Sequence, residues 1–210
     1  GEFVWPERER PRSVSDGEHP VATAHGAAGA DAIAALSVAA AELQQLRDRS
    51  DPASFERAAR LIREAEALGG RVHVTGVGKA GHVARYAAAL LASTGTPANF
   101  YDANESVHGS SGQIVAGDIV IAISNSGETD ELHSAVEVAR DLGARVIAVT
   151  GGLASSLARQ SEVVLDAGVA REGGPLGLAP RASVAAQAMV IAALGAVLER
   201  ERGFTRADFH

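Results

Sequence analysis

The stretch "DIVIAISNSGETDE", Asp118–Glu131, indicates the fold class of this chain. After the aspartate comes an uncharged, β-branched run, which is typical of a strand that is buried on both faces of a parallel sheet. The run ends in a polar loop with a glycine, and a helical pattern follows over residues 130–142. The side chains predicted to face inward from this helix are Leu132, Val136, Ala139 and Leu142. A strand that passes through a short loop into a helix is half of a βαβ unit.

The same alternation extends to both sides of that stretch. Strand-like runs precede it, "RVHVTGVG" and "TPANFYDA", and follow it, "ARVIAVTG" and "EVVLDAG", with helical patterns between them. Two further helices lead the chain, at residues 30–49 and in "SDPASFERAARLIREAEALGG". The first has an apolar stripe formed by Ile33, Leu36, Ala40, Leu43 and Leu46.

These patterns predict an α/β fold, with a doubly wound five-stranded parallel sheet flanked by helices and two leading N-terminal helices. Residues 1–27 are polar and without period, and we expect them to form a flexible N-terminal arm. Residues 28–210 are predicted to form a single domain. Ligands of such sheets bind at the carboxyl ends of the strands.

Composition limits the class of partner. The chain has 210 residues, 46% of them apolar, a formal net charge of −7 and no cysteine. The acidic balance argues against a nucleic-acid partner. No apolar run reaches the roughly 18–20 residues that cross a bilayer, so no membrane association is predicted. The lack of cysteine excludes disulfides and thiolate metal sites and fits a cytoplasmic location.

The histidines give no sign of a metal site. Four of them show no metal-like pairing and are expected at the surface or partly buried: His19, His25, His73 and His133. The sequence therefore predicts no metal site.

The loop after the central strand carries three hydroxyls, Ser124, Ser126 and Thr129, around Gly127. Backbone N–H groups at a helix start bind anions, and short hydroxyls add donors without adding charge. The alternative is that these side chains only cap the helix. Three hydroxyls within six residues favour a phosphate site.

The loop "TGVGKAGH", Thr75–His82, contains Lys79, the one lysine among nineteen basic residues. Its glycines allow a sharp turn and a close approach to a ligand. They match the dinucleotide fingerprint only loosely, and the spacing and K-[ST] pair of a Walker A loop are missing. At a strand end, Lys79 would face the same cleft as the serines, where an ammonium could neutralise a phosphate or a developing enolate oxygen.

Two further loops follow strands and carry ionisable groups. "NESVHGSSG" contains Glu105 and His108, and "VAREGGPLGLAP" contains Glu172. A lone loop histidine is usually solvated, and a carboxylate in a Gly/Pro loop is either surface decoration or an acid/base group aimed inward. The spacing does not choose between these alternatives.

Together these motifs resemble the sugar isomerase (SIS) domain, specifically its arabinose-5-phosphate isomerase branch. The similarity runs from Val72 to Phe209 and includes the tail "RGFTRADF". The segments that carry it are "GVGKAGH", "LASTGTPA", "NESVHG", "AISNSGETDE" and "PLGLAPRAS".

The resemblance implies interconversion of D-ribulose 5-phosphate and D-arabinose 5-phosphate through an enediol, without a cofactor. It implies a homotetramer with active sites between subunits. The positions that match catalytic residues of the family are Lys79, His108, Glu131 and Glu172. The expected substrate- and phosphate-binding residues are Gly78, Ser124, Asn125, Ser126, Gly127, Thr129 and Ser183.

In this family the tail leads into a S-H-P-G-G-like segment, whose histidine is a candidate for the isomerising base. That segment would begin after His210, and so would the paired cystathionine-synthase-type domains of longer members. Two other functions remain open. One is isomerisation of another sugar phosphate, such as 3-hexulose 6-phosphate, and the other is a non-catalytic sugar-phosphate sensor.

Overall fold

A computed structural model describes residues 24–209 and confirms the predicted fold class. Five parallel strands form one sheet in the order β2-β1-β3-β4-β5. The strands are β1 Val72–Gly76, β2 Ala98–Phe100, β3 Ile119–Ile123, β4 Arg145–Thr150 and β5 Val163–Asp166. The helices are α1 Ala24–Arg49, α2 Pro52–Ala67, α3 Lys79–Ser93, α4 Asp130–Asp141, α5 Ser156–Gln160 and α6 Ala182–Arg202. Residues 1–23 of the predicted arm, including His19, lie outside the described residues.

The central strand β3 separates two apolar cores. Successive side chains of a strand point to opposite faces. Ile119, Ile121 and Ile123 accordingly enter the core beneath α2, α3 and α6. Val120 and Ala122 enter the other core, beneath α4 and α5. Both faces are covered, which explains why this strand reads as a continuous apolar run.

The two leading helices form as predicted, although only part of α1 packs on the core. Asp51 caps α2, since its carboxylate accepts a hydrogen bond from the Ala53 N–H at 3.0 Å. On α1, Leu46 is buried, but Ile33 and Leu36 are 65% and 67% exposed. The predicted apolar stripe is therefore buried only toward the C-terminal end of the helix.

Leu142 does not face inward, so that prediction is wrong. The helix α4 ends at Asp141, and Leu142 follows it as the C-cap residue, with 41% of its surface exposed. The other predicted inward positions are buried: Leu132, Val136 and Ala139. The helical period positions a side chain only as far as the helix continues.

By length and composition alone α6 could cross a membrane, so the expectation of no membrane association stays a prediction. Half of its most apolar window is buried, and the helix contacts α1, α2 and α3. The core helix of a soluble protein passes the same test. Packing on three helices accounts for the apolar composition of α6.

A buried polar network lies at the amino end of the sheet and corrects the expectation for His73. The His73 side chain is 2% exposed, and its Nε2 lies 2.8 Å from the Asp118 carboxylate. That carboxylate also accepts hydrogen bonds from the backbone N–H groups of Arg71 and Val115, each at 2.9 Å. Burial raises the pKa of Asp118, but the hydrogen bonds of Val115, Arg71 and His73 together hold the pKa below its ordinary value. Asp118 thus ties the start of β3 to β1.

Candidate functional site

A cavity of about 390 Å³ lies at the carboxyl ends of β1 and β3. In a doubly wound sheet, the strand order reverses between neighbours such as these, which leaves a crevice for ligands. Three chain segments line the cavity: the β1–α3 turn, the β3–α4 loop and the beginning of α6. The lining residues are Val77, Gly78, Lys79, Ala80, Ile123, Ser124, Asn125, Ser126, Thr129, Pro180, Ser183, Val184 and Gln187.

The β1–α3 turn brings Lys79 to the cavity as the first residue of α3. The turn is so tight that a Cβ atom at Gly81 would lie 2.7 Å from the Gly76 carbonyl oxygen. Gly78 precedes Lys79 with φ +60°, a conformation that favours glycine. The lysine is exposed and makes no ion pair within residues 24–209. Its charge is therefore available to an anion in the cavity.

The β3–α4 loop is folded by its own hydroxyl groups. The Ser124 hydroxyl accepts a hydrogen bond from the Gly127 N–H at 3.1 Å and lies 3.1 Å from the Thr129 hydroxyl. The Ser126 hydroxyl accepts a hydrogen bond from the Glu128 N–H at 3.2 Å. Gly127 has φ +68°, and a Cβ atom there would lie 2.1 Å from the Ser155 hydroxyl. The loop is held close to α5.

Thr129 occupies the N-cap position of α4, yet its side chain makes no capping hydrogen bond. Helix capping therefore does not account for this hydroxyl, which lines the cavity with Ser124 and Ser126. α3 and α6 also begin at the cavity. Helix N-termini carry partial positive charge and unpaired N–H groups, so their convergence creates an environment for an anion.

A second cavity of about 540 Å³ adjoins the first, and Asn125 lines both. Its wall includes Glu172 of the β5–α6 loop and Asp31 of α1. The Glu172 carboxylate accepts hydrogen bonds from the backbone N–H groups of Arg181 at 2.7 Å and Ser183 at 3.1 Å. Glu172 thereby occupies the positive end of α6, next to the first cavity.

Burial alone would raise the pKa of Glu172. The Ser183 side chain and the backbone N–H groups of Ser183, Arg181 and Ala182 outweigh it, so the pKa lies below its ordinary value. The Ser183 hydroxyl lowers this pKa by lying close to the carboxylate, although its oxygen makes no hydrogen bond of good geometry. Glu172 is consequently ionised at neutral pH.

The loop that carries Glu172 is anchored by a buried acid of α1. Glu42 is 1% exposed, and its carboxylate accepts a hydrogen bond from the Ala170 N–H at 2.7 Å. Its other oxygen lies 3.7 Å from the Arg171 guanidinium. The leading helix therefore contributes to the position of the β5–α6 loop.

His108 and Glu131 line neither of these two cavities. His108 ends a short 3-10 turn, Ser106–His108, and is exposed. Glu131 lies in the first turn of α4 and is also exposed. The turn packs against α4, so both residues belong to one neighbouring region of the surface.

The structure thus brings Lys79, the hydroxyl loop and Ser183 to one cavity, with Glu172 beside it. It adds Gln187, which sequence reasoning missed. The available signal was a glutamine four residues after Ser183 in an otherwise apolar helix, since that spacing places both on one face. No three His, Asp or Glu side chains cluster as metal ligands in the part of the chain that the structure describes.

Residues 69–197 match the family model of the SIS domain. Over 140 residues the chain is 46% identical to arabinose 5-phosphate isomerase KdsD of Escherichia coli K12, a match that covers 67% of this chain and 43% of that protein. The chain therefore spans less than half the length of this curated relative.

Two solved structures resemble most of this chain. One, of E. coli CFT073 c3406 in complex with arabinose 5-phosphate, has a TM-score of 0.76 and 33% identity and covers 91% of this chain and 97% of that one. The other is the sugar isomerase domain of an RpiR transcription factor from Sphaerobacter thermophilus, with a TM-score of 0.65 and 24% identity. It covers 81% of this chain and 92% of that one and shows the fold alone.

Proposed function

Because this chain belongs to the SIS domain family, we propose that it is an aldose–ketose isomerase that interconverts D-ribulose 5-phosphate and D-arabinose 5-phosphate. The observation that carries the proposal is the cavity in which the Lys79 cation faces the hydroxyl loop at three helix N-termini. Such a site suits a small phosphorylated ligand. The choice of pentose is supported by the name of the KdsD relative and by the arabinose 5-phosphate complex of the c3406 protein.

The phosphate is held by the β3–α4 loop. The Ser126 and Thr129 hydroxyls provide neutral donors for its oxygens, and the positive end of the α4 dipole adds attraction for the anion. The Gly78 and Asn125 backbones and the Ser183 hydroxyl complete the binding set, while Gly127 lets the loop close. Neutral donors fit an acidic chain, since they bind an anion locally without a basic surface.

The reaction moves one hydrogen between adjacent carbons and needs no external oxidant or reductant. From the ketose, a base removes a proton from C1 and an acid protonates O2, which gives the enediol. O1 then loses its proton and C2 gains one, which gives the aldose. Positioned acids and bases accelerate such transfers by about 10²–10⁴-fold per group.

Lys79 stabilises the oxygen that gains charge as the carbon is deprotonated. A lysine ammonium is a compact charge, and in a partly enclosed cavity its attraction for an oxyanion exceeds that in bulk water. The other eighteen residues of the lysine and arginine set are all arginine, so the composition of this sequence would predict arginine at position 79 as well. We infer that the site requires the smaller cation.

Glu172, Glu131 and His108 are the proposed groups for ring opening and proton transfer. Glu172 is an ionised carboxylate beside the cavity, which suits the role of a proton acceptor. Glu131 and His108 would act on a substrate in an adjacent subunit, because they lie outside the cavity of their own chain. This division requires the homotetramer with intersubunit sites that the family resemblance implies.

Exposed apolar side chains support association of subunits. Ile33 and Leu36 of α1, Leu176 and Leu178 of the β5–α6 loop, and Met189 of α6 are each more than half exposed. A contiguous exposed apolar patch is typical of an interaction surface, and α1 and the β5–α6 loop adjoin in the wall of the second cavity. The proposal therefore includes a homotetramer, and it includes a cytoplasmic location.

The test is product formation by the full chain. Ribulose 5-phosphate is added to the purified protein, and arabinose 5-phosphate is detected by chromatography. We expect wild type to form the aldose and Lys79→Met to form it more slowly at equal tetramer content. A tetrameric preparation that forms no aldose would refute the isomerase.

A sugar-phosphate sensor is the second candidate, because the same fold occurs in the sugar isomerase domain of a transcription factor. A sensor would bind the sugar phosphate without exchanging its C1 or C2 hydrogens. Incubation in heavy water, read by NMR, separates the two functions, since an isomerase incorporates deuterium at these carbons.

A further inference from the structure

Gln187 is a buried polar residue in the wall of the cavity, and its side chain makes no hydrogen bond to any described residue. We infer that its amide recognises the hydroxyl groups of the sugar chain, and so determines which phosphate esters are retained; this inference rests on the proposed function. The residue lies in the second turn of α6 and lines the cavity together with Lys79 and Ser124.

The burial of Gln187 has an energetic cost that the protein itself does not offset. The residue is 2% exposed, and its Oε1 atom is buried without a hydrogen-bond partner among the described residues. Buried polar atoms are nearly always hydrogen-bonded, so an exception at a cavity wall indicates a partner that is bound from solution. The Ser183 hydroxyl, 1% exposed, is unpaired in the same way.

Both residues line the cavity. Side chains of a helix tilt toward its N-terminus, and α6 begins at the cavity. Residues four apart lie one above the other, so Gln187 stands directly behind Ser183. The remaining buried positions of this helix are apolar or glycine: Ala182, Ala186, Val190, Ile191, Leu194, Gly195 and Leu198. The two polar side chains occupy only the end that faces the site.

The chemistry of an amide fits a hydroxyl better than a phosphate. A glutamine amide both donates and accepts, and a hydroxyl does the same, whereas a phosphate dianion only accepts. The β3–α4 loop already supplies the Ser126 and Thr129 hydroxyls as donors for the phosphate. Gln187 therefore matches the polyol part of the ligand.

Gln160 provides a matched control. It lies at the end of α5, and its Oε1 atom is likewise buried and unpaired, but it lines neither of the two cavities described above. Replacing either glutamine by methionine removes a buried, unpaired amide oxygen and keeps a similar side-chain length. Only the change at position 187 should affect the ligand.

The experiment is calorimetric titration of the full chain with two non-reacting phosphate monoesters, arabitol 5-phosphate and ethyl phosphate. For Gln187→Met we expect arabitol 5-phosphate to bind about 3- to 10-fold more weakly than to wild type, the effect of one or two lost neutral hydrogen bonds. Ethyl phosphate, which has no hydroxyl, should bind both proteins equally. Gln160→Met should match wild type with both ligands, and Gln187→Leu, measured in parallel, should repeat the result of Gln187→Met.

The outcomes separate the inference from the function on which it rests. If wild type binds arabitol 5-phosphate and the folded Gln187 variants bind it equally well, the inference is wrong and the proposed function stands. If the variants lose both ligands to the same extent, the residue only supports the shape of the site, and the inference is again wrong. If wild type binds neither ester, both proposals fail.

Discussion

Replacing Gly127 by alanine should damage the hydroxyl loop by a mechanism that the structure specifies. The residue has φ +68°, where an alanine is strained by about 1–2 kcal/mol. A Cβ atom would also lie 2.1 Å from the Ser155 hydroxyl and 2.6 Å from the Ser155 Cβ. No rotation of the Ser155 side chain relieves the second contact, so the backbone of one segment must move.

The size of the effect follows from these contacts. Ser155 caps α5 by accepting a hydrogen bond from the Ala158 N–H at 3.2 Å, and displacing it costs about 1 kcal/mol. Overpacking of a closed site adds about 1–3 kcal/mol. With the backbone strain, we expect Gly127→Ala to lower the free energy of unfolding by about 3–6 kcal/mol, which is at least about 6 °C in Tm for a chain of this size.

A double-mutant cycle with Ser155→Gly isolates the steric contribution. That substitution removes the Oγ and Cβ atoms that the new methyl group would meet, while the backbone strain at position 127 remains. Unfolding by urea is measured for wild type, both single variants and the double variant. We expect the double variant to be more stable than the sum of the single effects by about 2–4 kcal/mol, because neither the overpacking nor the displacement of the Ser155 cap occurs once Ser155 is replaced. Additive effects within about 0.5 kcal/mol would refute the proposed contact.

Three other perturbations test the site and its support. Lys79→Met should lower kcat/KM about 10- to 100-fold through loss of a charge-assisted contact with the substrate, with little change in Tm. The control is Arg60→Met, at an exposed position outside the cavity, which should leave both kcat/KM and Tm unchanged. Glu172→Gln should be less stable than wild type at neutral pH, because the pKa of Glu172 is lower in the folded protein than in the unfolded chain. The difference in stability should be complete above about pH 4.3, the ordinary pKa of a glutamate, and should vanish as the pH falls through the lower pKa of the folded state. A difference that persists in acid would contradict this. Asp118→Asn should lower the free energy of unfolding in urea by about 3–5 kcal/mol at pH 7, since it removes a buried carboxylate that has hydrogen-bond partners on Arg71, His73 and Val115. A loss below about 1 kcal/mol would exclude a structural role for the pair with His73.

The elements and the location of the site could be predicted because both depend on local pattern and on topology. The run that became β3 is apolar on both faces and is followed by a helical period, which is sufficient for a buried parallel strand. In such a sheet all strands end at one edge, so Lys79 and the Ser124 loop had to lie on the same side. Their convergence on one cavity required no knowledge of side-chain packing.

Other features depended on distances between segments that are remote in sequence. Gln187, His73 and Leu142 are examples: one is buried at the cavity wall, one is paired with Asp118, and one is exposed beyond its helix. For His73 and Leu142 the local pattern gives no sign of these outcomes, because a histidine in a strand suits a surface position equally well and Leu142 continues the inward spacing of α4.

The sequence by itself therefore determined the layered α/β architecture, the edge of the sheet that holds the site and the polar loops that form it. Only the tertiary structure decided that Glu172 caps α6 beside the cavity, that His108 and Glu131 lie outside it, and that Gln187 lines it. The physical reason is that periodicity and strand direction depend on residues close together in the sequence, whereas burial and hydrogen bonding depend on which distant segments pack together.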